Sequence, residues 1–234
     1  QTCALPIYGK TTMEGVGASA LPAFKDKALD HGTQMMSIIA KVNPSAKLLP
    51  IRIVGVNPSG NAGLYTLESV KMALDWVVAN QAKYNIAVVN ISQGRVFANC
   101  KVPAGMVEQV AKLKALNVAV ISASGNDGNK TAINSPACIS DVVAVGATDN
   151  PWPGMEQIAW DSKASPYIAR YTNVSSAVDV YVNGRWFVTQ TDGSTKFMTG
   201  TSTATASFAA WWVLNQKATY AETLAQFSKI VMLP

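Results

Sequence analysis

Continuous apolar runs alternate along this chain with stretches whose apolar residues recur every third or fourth position, which predicts strands alternating with helices. Lys47–Val54 (KLLPIRIV), Ile86–Ile91 (IAVVNI), Val118–Ser122 (VAVIS) and Val142–Ala147 (VVAVGA) read as strands. Met35, Met36, Ile38, Ile39 and Val42 predict a helix with His31 in its first turn. Val70, Ala73, Leu74, Val77 and Val78 predict a second over Leu67–Ala82, and a third covers Val107–Leu116. Strands that are apolar throughout and separated by helices imply a parallel sheet covered on both faces. Beyond Thr148 the strands shorten to Val178–Val182 and Trp186–Thr189, joined by Asn183-Gly184, a pair typical of a hairpin turn. The small-residue run Ala204–Val213 predicts a tightly packed helix with Ser202 at its N-terminus, and a last helix is expected over Glu222–Met232. Residues 8–30, broken by Gly9, Gly15, Gly17 and Pro22, read as surface loop with room for a short strand. There is no internal repeat and no linker, so one domain is expected.

Composition narrows the class without changing this outline. With 49% hydrophobic and 14% charged residues, the 234-residue chain has the makings of a folded core. The net charge of +5 is spread thinly, which argues against a nucleic-acid surface. No apolar run approaches the roughly 20 residues of a membrane span, and the start carries no signal-peptide pattern. Residues 1–7, QTCALPI, read as the translation of a sequencing-library adapter and are set aside from the fold, leaving 8–234 as the domain. Gly9-Lys10-Thr11-Thr12 echoes a phosphate loop, but Ala4 stands where its first glycine belongs. With Cys3 set aside, Cys100 and Cys138 sit in loop segments, either as inert thiols or as one disulfide.

Candidate chemistry gathers at the strand ends, where ligand sites of parallel sheets lie. Ser92-Gln93-Gly94 and Ala123-Ser124-Gly125-Asn126 follow two strands, and His31, the only histidine, opens a helix. Ser202 taken alone fits an ordinary helix cap. At a helix N-terminus, however, unpaired backbone N–H groups can also hold the negative oxygen of a serine nucleophile's intermediate.

Over residues 26–215 the chain resembles the subtilisin-like serine peptidases. DHGTQMMSIIA is similar to that family's histidine segment, SASGNDG to the strand end bearing its oxyanion asparagine, and MTGTSTATA to its serine segment. VVNISQG, SPACISDVVAVGATD and VDVY fall at matching places between them. The resemblance implies an α/β fold, a three-layer sandwich with a mainly parallel central sheet. It implies a serine-type endopeptidase working through an acyl-enzyme, with Ser202 as nucleophile, His31 as general base, and the Asn126 amide with the Ser202 N–H as oxyanion donors. Substrate is expected along Ser92, Gln93 and Gly94 and along Ala123, Ser124 and Gly125, with Gln93 in place of the usual apolar residue. Asp127 is expected either to favour a basic side chain at the cleaved position or to be a solvated turn carboxylate.

Other consequences follow from the same resemblance. Cys100 and Cys138 match a disulfide of secreted members, which implies an extracytoplasmic protein. Polypeptide substrates and a monomer are expected, with no cofactor or catalytic metal; the structural calcium the family often holds cannot be read from the sequence. Thr203 replaces the usual methionine after the serine and Ala206 the usual helix proline. The triad's aspartate, which in the family ends a strand some way before the histidine, has no match: Asp30 adjoins His31 and Asp26 lies in a loop. The expected domain thus lacks its Asp-bearing strand, and this copy is expected to be a weak or inactive peptidase. The rival reading is a catalytically inactive subtilisin-like protein that binds peptides or serves a structural role. The sequence argues against an esterase of the α/β-hydrolase kind, since Gly200-Thr-Ser-Thr-Ala204 is no G-x-S-x-G elbow and the histidine precedes the serine. Asn90, Asn129 and Asn173 each start an Asn-x-Ser/Thr triplet, relevant only in a eukaryotic source.

Overall fold

A strand buried on both faces needs helices above and below it, and the apolar strands of this chain receive them. The computed structural model describes residues 2–8, 31–54, 66–149 and 168–227. Its elements are β1 (Thr2–Tyr8), α1 (His31–Val42), β2 (Lys47–Val54), α2 (Leu67–Tyr84), β3 (Ile86–Ile91), α3 (Met106–Ala115), β4 (Ala119–Ala123), β5 (Val143–Thr148), β6 (Val180–Asn183), β7 (Arg185–Thr189), β8 (Thr195–Thr199), α4 (Thr201–Asn215) and α5 (Tyr220–Phe227). Strands β1 to β6 form one parallel sheet in the order β2-β1-β3-β4-β5-β6. On one face Met35, Ile38 and Ile39 of α1 and Ala204, Ala206, Phe208 and Trp212 of α4 pack with Val88, Ile121 and Val145. On the other, Leu74 and Val77 of α2 and Val110 and Leu113 of α3 pack with Ile91 and Val120. This is the expected three-layer α/β sandwich, and its sheet order puts the ends of β3 and β4 side by side.

The central helix α4 is buried on nearly every side although its first turns are rich in hydroxyls. Those hydroxyls are satisfied by nearby carbonyls: Thr205 Oγ1 donates to Thr201 O (2.6 Å) and Ser207 Oγ to Ala204 O (2.9 Å). Thr203 Oγ1 reaches both Gly184 O and Gly200 O at 2.7 Å. The far end of α4 is covered by α5, where Phe227 stacks on Trp212 and meets Phe208 edge-on.

Four features depart from the sequence-based outline. Thr2–Tyr8, left out of that reading, form the strand between β2 and β3. Asn183-Gly184 is not a hairpin turn: β6 stays parallel to β5, while β7 leaves the sheet and pairs antiparallel with β8. The Gly184 N–H is already bonded to Thr148 O (3.0 Å), so the chain cannot fold back upon β6 there. β8, TKFMT, is largely exposed and carries too little apolar alternation to be read as a strand. Helix α5 starts two residues earlier than expected, because Thr219 and Glu222 cap it reciprocally: the Glu222 N–H donates to Thr219 Oγ1 (3.2 Å) and the Thr219 N–H to Glu222 Oε2 (3.0 Å). Residues 9–30, with Asp26 and Asp30, and the end of the last expected helix lie outside the described residues.

Candidate active site

Ser202 lies in the first turn of α4 and is only 8% exposed. Two serines bind each other's backbone here. Ser202 Oγ donates to Ser92 O (3.1 Å), and Ser92 Oγ donates to Ser202 O (3.0 Å). Asn90, a polar residue inside apolar β3, donates from Nδ2 to Ser92 Oγ (3.0 Å). The end of β3 is thereby joined to the start of α4, and Ser92, expected to line the cleft, also holds Ser202 in place.

Asn126 follows the end of β4. Its Oδ1 accepts from the Thr201 N–H (2.8 Å) and from Thr201 Oγ1 (2.9 Å), and Thr201 Oγ1 accepts from the Gly125 N–H (3.2 Å). With the carbonyl end of the amide occupied, Nδ2 is the end left for another acceptor. A Cβ placed on Gly200 would lie 3.6 Å from Asn126 Nδ2 and 3.7 Å from the Ser202 nitrogen. One small volume beside Gly200 thus borders both donors, and the Ser202 N–H, in the first turn, has no carbonyl one turn earlier in its helix to meet. Two donors so placed can hold a negatively charged oxygen.

His31 opens α1, which packs on α4 on the same face of the sheet. Burial lowers its pKa to about 4, so the ring is neutral at pH 7, the form that accepts a proton.

The loop after Asn126 hangs on Asn173, which is fully buried. Asn173 Oδ1 accepts from the N–H groups of Asp127 (3.0 Å) and Asn129 (2.9 Å), and its Nδ2 donates to Asp127 Oδ2 (3.0 Å). The exposed Asp127 is therefore tied through one carboxylate oxygen and its backbone to a buried amide. Burial of Asn90 and Asn173 also closes two of the three Asn-x-Ser/Thr triplets to modification. Gln93 and Gly94 stand half-buried after β3, with Ala123 buried at the end of β4 and Ser124 and Gly125 buried just beyond it. Cys100 and Cys138 form a disulfide. Sequence reasoning missed Asn90, Thr201 and Asn173. Asn90 had a signal, an amide in an otherwise apolar strand; the other two act through distant partners and had none. Among the described residues, no three His, Cys, Asp or Glu side chains gather as a metal site, and no helix is long and apolar enough to cross a membrane.

The family model of peptidase S8, described as the subtilase family, matches residues 8–231. The chain belongs to the subtilase family. Minor extracellular protease Epr of Bacillus subtilis (strain 168) is 32% identical to this subtilase over 205 residues, covering 84% of the chain and 28% of that protein. Extracellular serine proteinase of Thermus sp. (strain Rt41A) is 29% identical, covering 75% of the chain and 38% of that protein. The subtilase chain therefore spans well under half the length of these curated relatives. Among solved structures, a cold adapted subtilisin-like serine proteinase superposes with a TM-score of 0.70 at 21% identity, covering 97% of this chain and 81% of that one. The protease domain of PatA gives 0.71 at 19% identity, covering 91% and 78%. At these identities the likeness speaks for the fold of this subtilase, a mainly parallel sheet flanked by helices.

Proposed function

We propose that this subtilase is a serine-type endopeptidase acting on polypeptides outside the cytoplasm. The observation that carries the reading is the orientation of Asn126, whose carbonyl is held by Thr201 so that its amide group and the Ser202 N–H border one space. In the reaction, Ser202 Oγ attacks the peptide carbonyl and His31 takes its proton. The two donors hold the oxyanion, His31 returns the proton to the leaving amine, and water then releases the acyl group. The Cys100–Cys138 bond and the extracellular relatives support an extracytoplasmic location.

The carboxylate that would orient His31 has no candidate on β1, whose residues are Thr-Cys-Ala-Leu-Pro-Ile-Tyr. We infer that this copy lacks it. Turnover without one triad member falls to about 10³–10⁴ over the uncatalysed rate, a residue left by oxyanion and substrate binding. That same observation favours a second reading, a peptide-binding subtilase without catalysis. The two are separated by treating the protein with a fluorophosphonate and mapping the adduct, alongside a Ser202→Ala control and a casein digest. Slow labelling at Ser202 with slow casein cleavage supports the peptidase; an unlabelled Ser202 with intact casein leaves peptide binding alone.

A further inference from the structure

Strands β7 and β8 leave the main sheet as a two-stranded ribbon whose two edges fare differently. The Gln190 N–H donates to Ser194 O (2.8 Å) and the Gly200 N–H to Gly184 O (3.0 Å), so every second pair between these two is a hydrogen-bonded one. The main-chain groups of Phe187 and Thr189 on β7, and of Thr195, Phe197 and Thr199 on β8, therefore point away from the ribbon. On the β7 side α1 takes them up: Lys41 Nζ donates to Phe187 O, and the Thr189 N–H donates to Ser37 Oγ (2.9 Å). On the β8 side the N–H and C=O groups of Thr195, Phe197 and Thr199 have no partner among the described residues. The same ribbon carries an apolar patch. Phe187 and Phe197 are 56% and 41% exposed, their ring centroids 5.3 Å apart, with the Arg185 guanidinium 5.4 Å from the Phe197 ring. Single exposed apolar residues are ordinary; two in contact beside an open strand edge mark an association surface.

β8 reads Thr-Lys-Phe-Met-Thr, and its outward-bonding residues, Thr-x-Phe-x-Thr, are the same in either direction. Such a strand is complementary to itself when turned end for end. We propose that a second copy of this chain adds to the β8 edge, antiparallel, with a two-fold axis at Phe197. Each Phe197 then exchanges both main-chain bonds with the other, Cα atoms about 5.5 Å apart, and each Thr195 pairs with Thr199 of the second copy. Every outward N–H and C=O of the strand finds a partner in this register. The alternatives are worse: an axis at Lys196 sets two lysines face to face, and one at Met198 sets Thr195 opposite Thr201, which belongs to α4. With the axis at Phe197, Lys196 faces Met198. On the outer surface the Phe187 and Phe197 rings of both copies form one row across four strands, a favourable kind of cross-strand contact. Five residues a side make a small interface, which forms at micromolar concentration and above. A dimer of this kind replaces the monomer expected from the resemblance, and it does not depend on the catalytic reading. Because β8 runs straight into Gly200-Thr201-Ser202, the second copy lies beside the start of α4.

The test is sedimentation velocity from low micromolar to near-millimolar concentration, with hydrogen exchange of the β8 amides followed over the same range. The parent chain is expected to pass from monomer to dimer while exchange at Phe197 and Thr199 slows at least tenfold. Phe197→Lys and Phe197→Glu each set like charges across the axis, so each alone should stay monomeric, and an equimolar mixture of the two should dimerise. Both should melt with the parent, since Phe197 lies at the surface. Thr195→Pro removes one outward N–H and should weaken association at least tenfold, which keeps the test open if the charged variants do not fold. A parent that is monomeric at every concentration, a dimer that survives all three substitutions, or a charge-swapped mixture that stays monomeric overturns the proposal. So does a monomeric parent whose β8 amides are protected only by added casein, because the edge then takes a substrate chain and not a second copy.

Discussion

Replacing Asn173 by alanine is expected to loosen the loop that carries Asn126 without touching any group of the proposed chemistry. The side chain makes three good hydrogen bonds: two accepted from backbone N–H groups, at 3.0 and 2.9 Å, and one donated to the Asp127 carboxylate at 3.0 Å. Neutral bonds contribute about 1 kcal/mol each and a bond to a charged group about 1.5–3 kcal/mol. Water can take over part of the carboxylate's share because Asp127 is exposed, which brings the expected loss to about 2–4 kcal/mol. For a chain of this size about 3 kcal/mol lowers Tm by roughly 6–12 °C. Urea unfolding followed by tryptophan fluorescence measures the loss directly. Asn173→Asp provides a sharper variant, because it keeps the acceptor for both N–H groups and puts a second carboxylate against Asp127. One of the two acids then has a raised pKa in the folded state, so this variant should gain stability relative to the parent as pH falls toward 4. An Asn173→Ala midpoint within about 0.5 kcal/mol of the parent would refute the account of this loop, since that is the scatter of ordinary surface changes.

Three further outcomes are expected. His31 is the only histidine, so its imidazole proton resonance is assigned without mutagenesis; it should titrate near pH 4, and a midpoint near 6.5 would contradict its burial. Because the unfolded ring binds its proton near pH 6.5 and the folded one near 4, His31's contribution is complete above pH 6.5 and lost as pH falls through that window, by about 3 kcal/mol. Asn126→Asp keeps the acceptor for Thr201 and removes the donor, so it should hold its Tm while losing about 10²–10³ of any turnover, a figure that comes from subtilisin itself; Asn126→Ala should also lose about 1–2 kcal/mol of stability, as a lost helix cap does. Equal melting of the two variants would detach Asn126 from the helix start. Reducing Cys100–Cys138, 38 residues apart, should cost about 3–4 kcal/mol by chain entropy, read as a drop in urea midpoint on adding a thiol reductant.

The main sheet was legible because its strands are apolar throughout and its helices carry apolar residues at helical spacing, signals contained within each segment. β2 and β3 were read to the residue, and α1, α2 and α3 to within a turn. The local pattern misled at Asn183-Gly184, where the turn's hydrogen bonds were taken by β5, a partner far away in sequence. It was silent at β8, whose pairing with β7 sets its shape. The proposed site divides in the same way. His31, Asn126 and Ser202 stand in recognisable local segments. Thr201 and Asn173 do their work across separations of dozens of residues, so nothing beside them in sequence marks them. The Thr219 and Glu222 cap was visible as a T-x-x-E pair and passed unread.

β1 has consequences for the order in which the sheet is built. Among the described strands it is the one bonded to both β2 and β3, with Thr2 to Tyr8 paired along Lys47 to Val54 on one side and Thr2 to Ala4 along Ile86 to Val89 on the other, each pairing with one register shift. Both of its neighbours are made dozens of residues after it. During that interval both of its edges are open to pairing with another chain. The sheet therefore closes around a strand made before either of its neighbours, and removing that strand would leave β2 as a detached edge beside a four-stranded remainder.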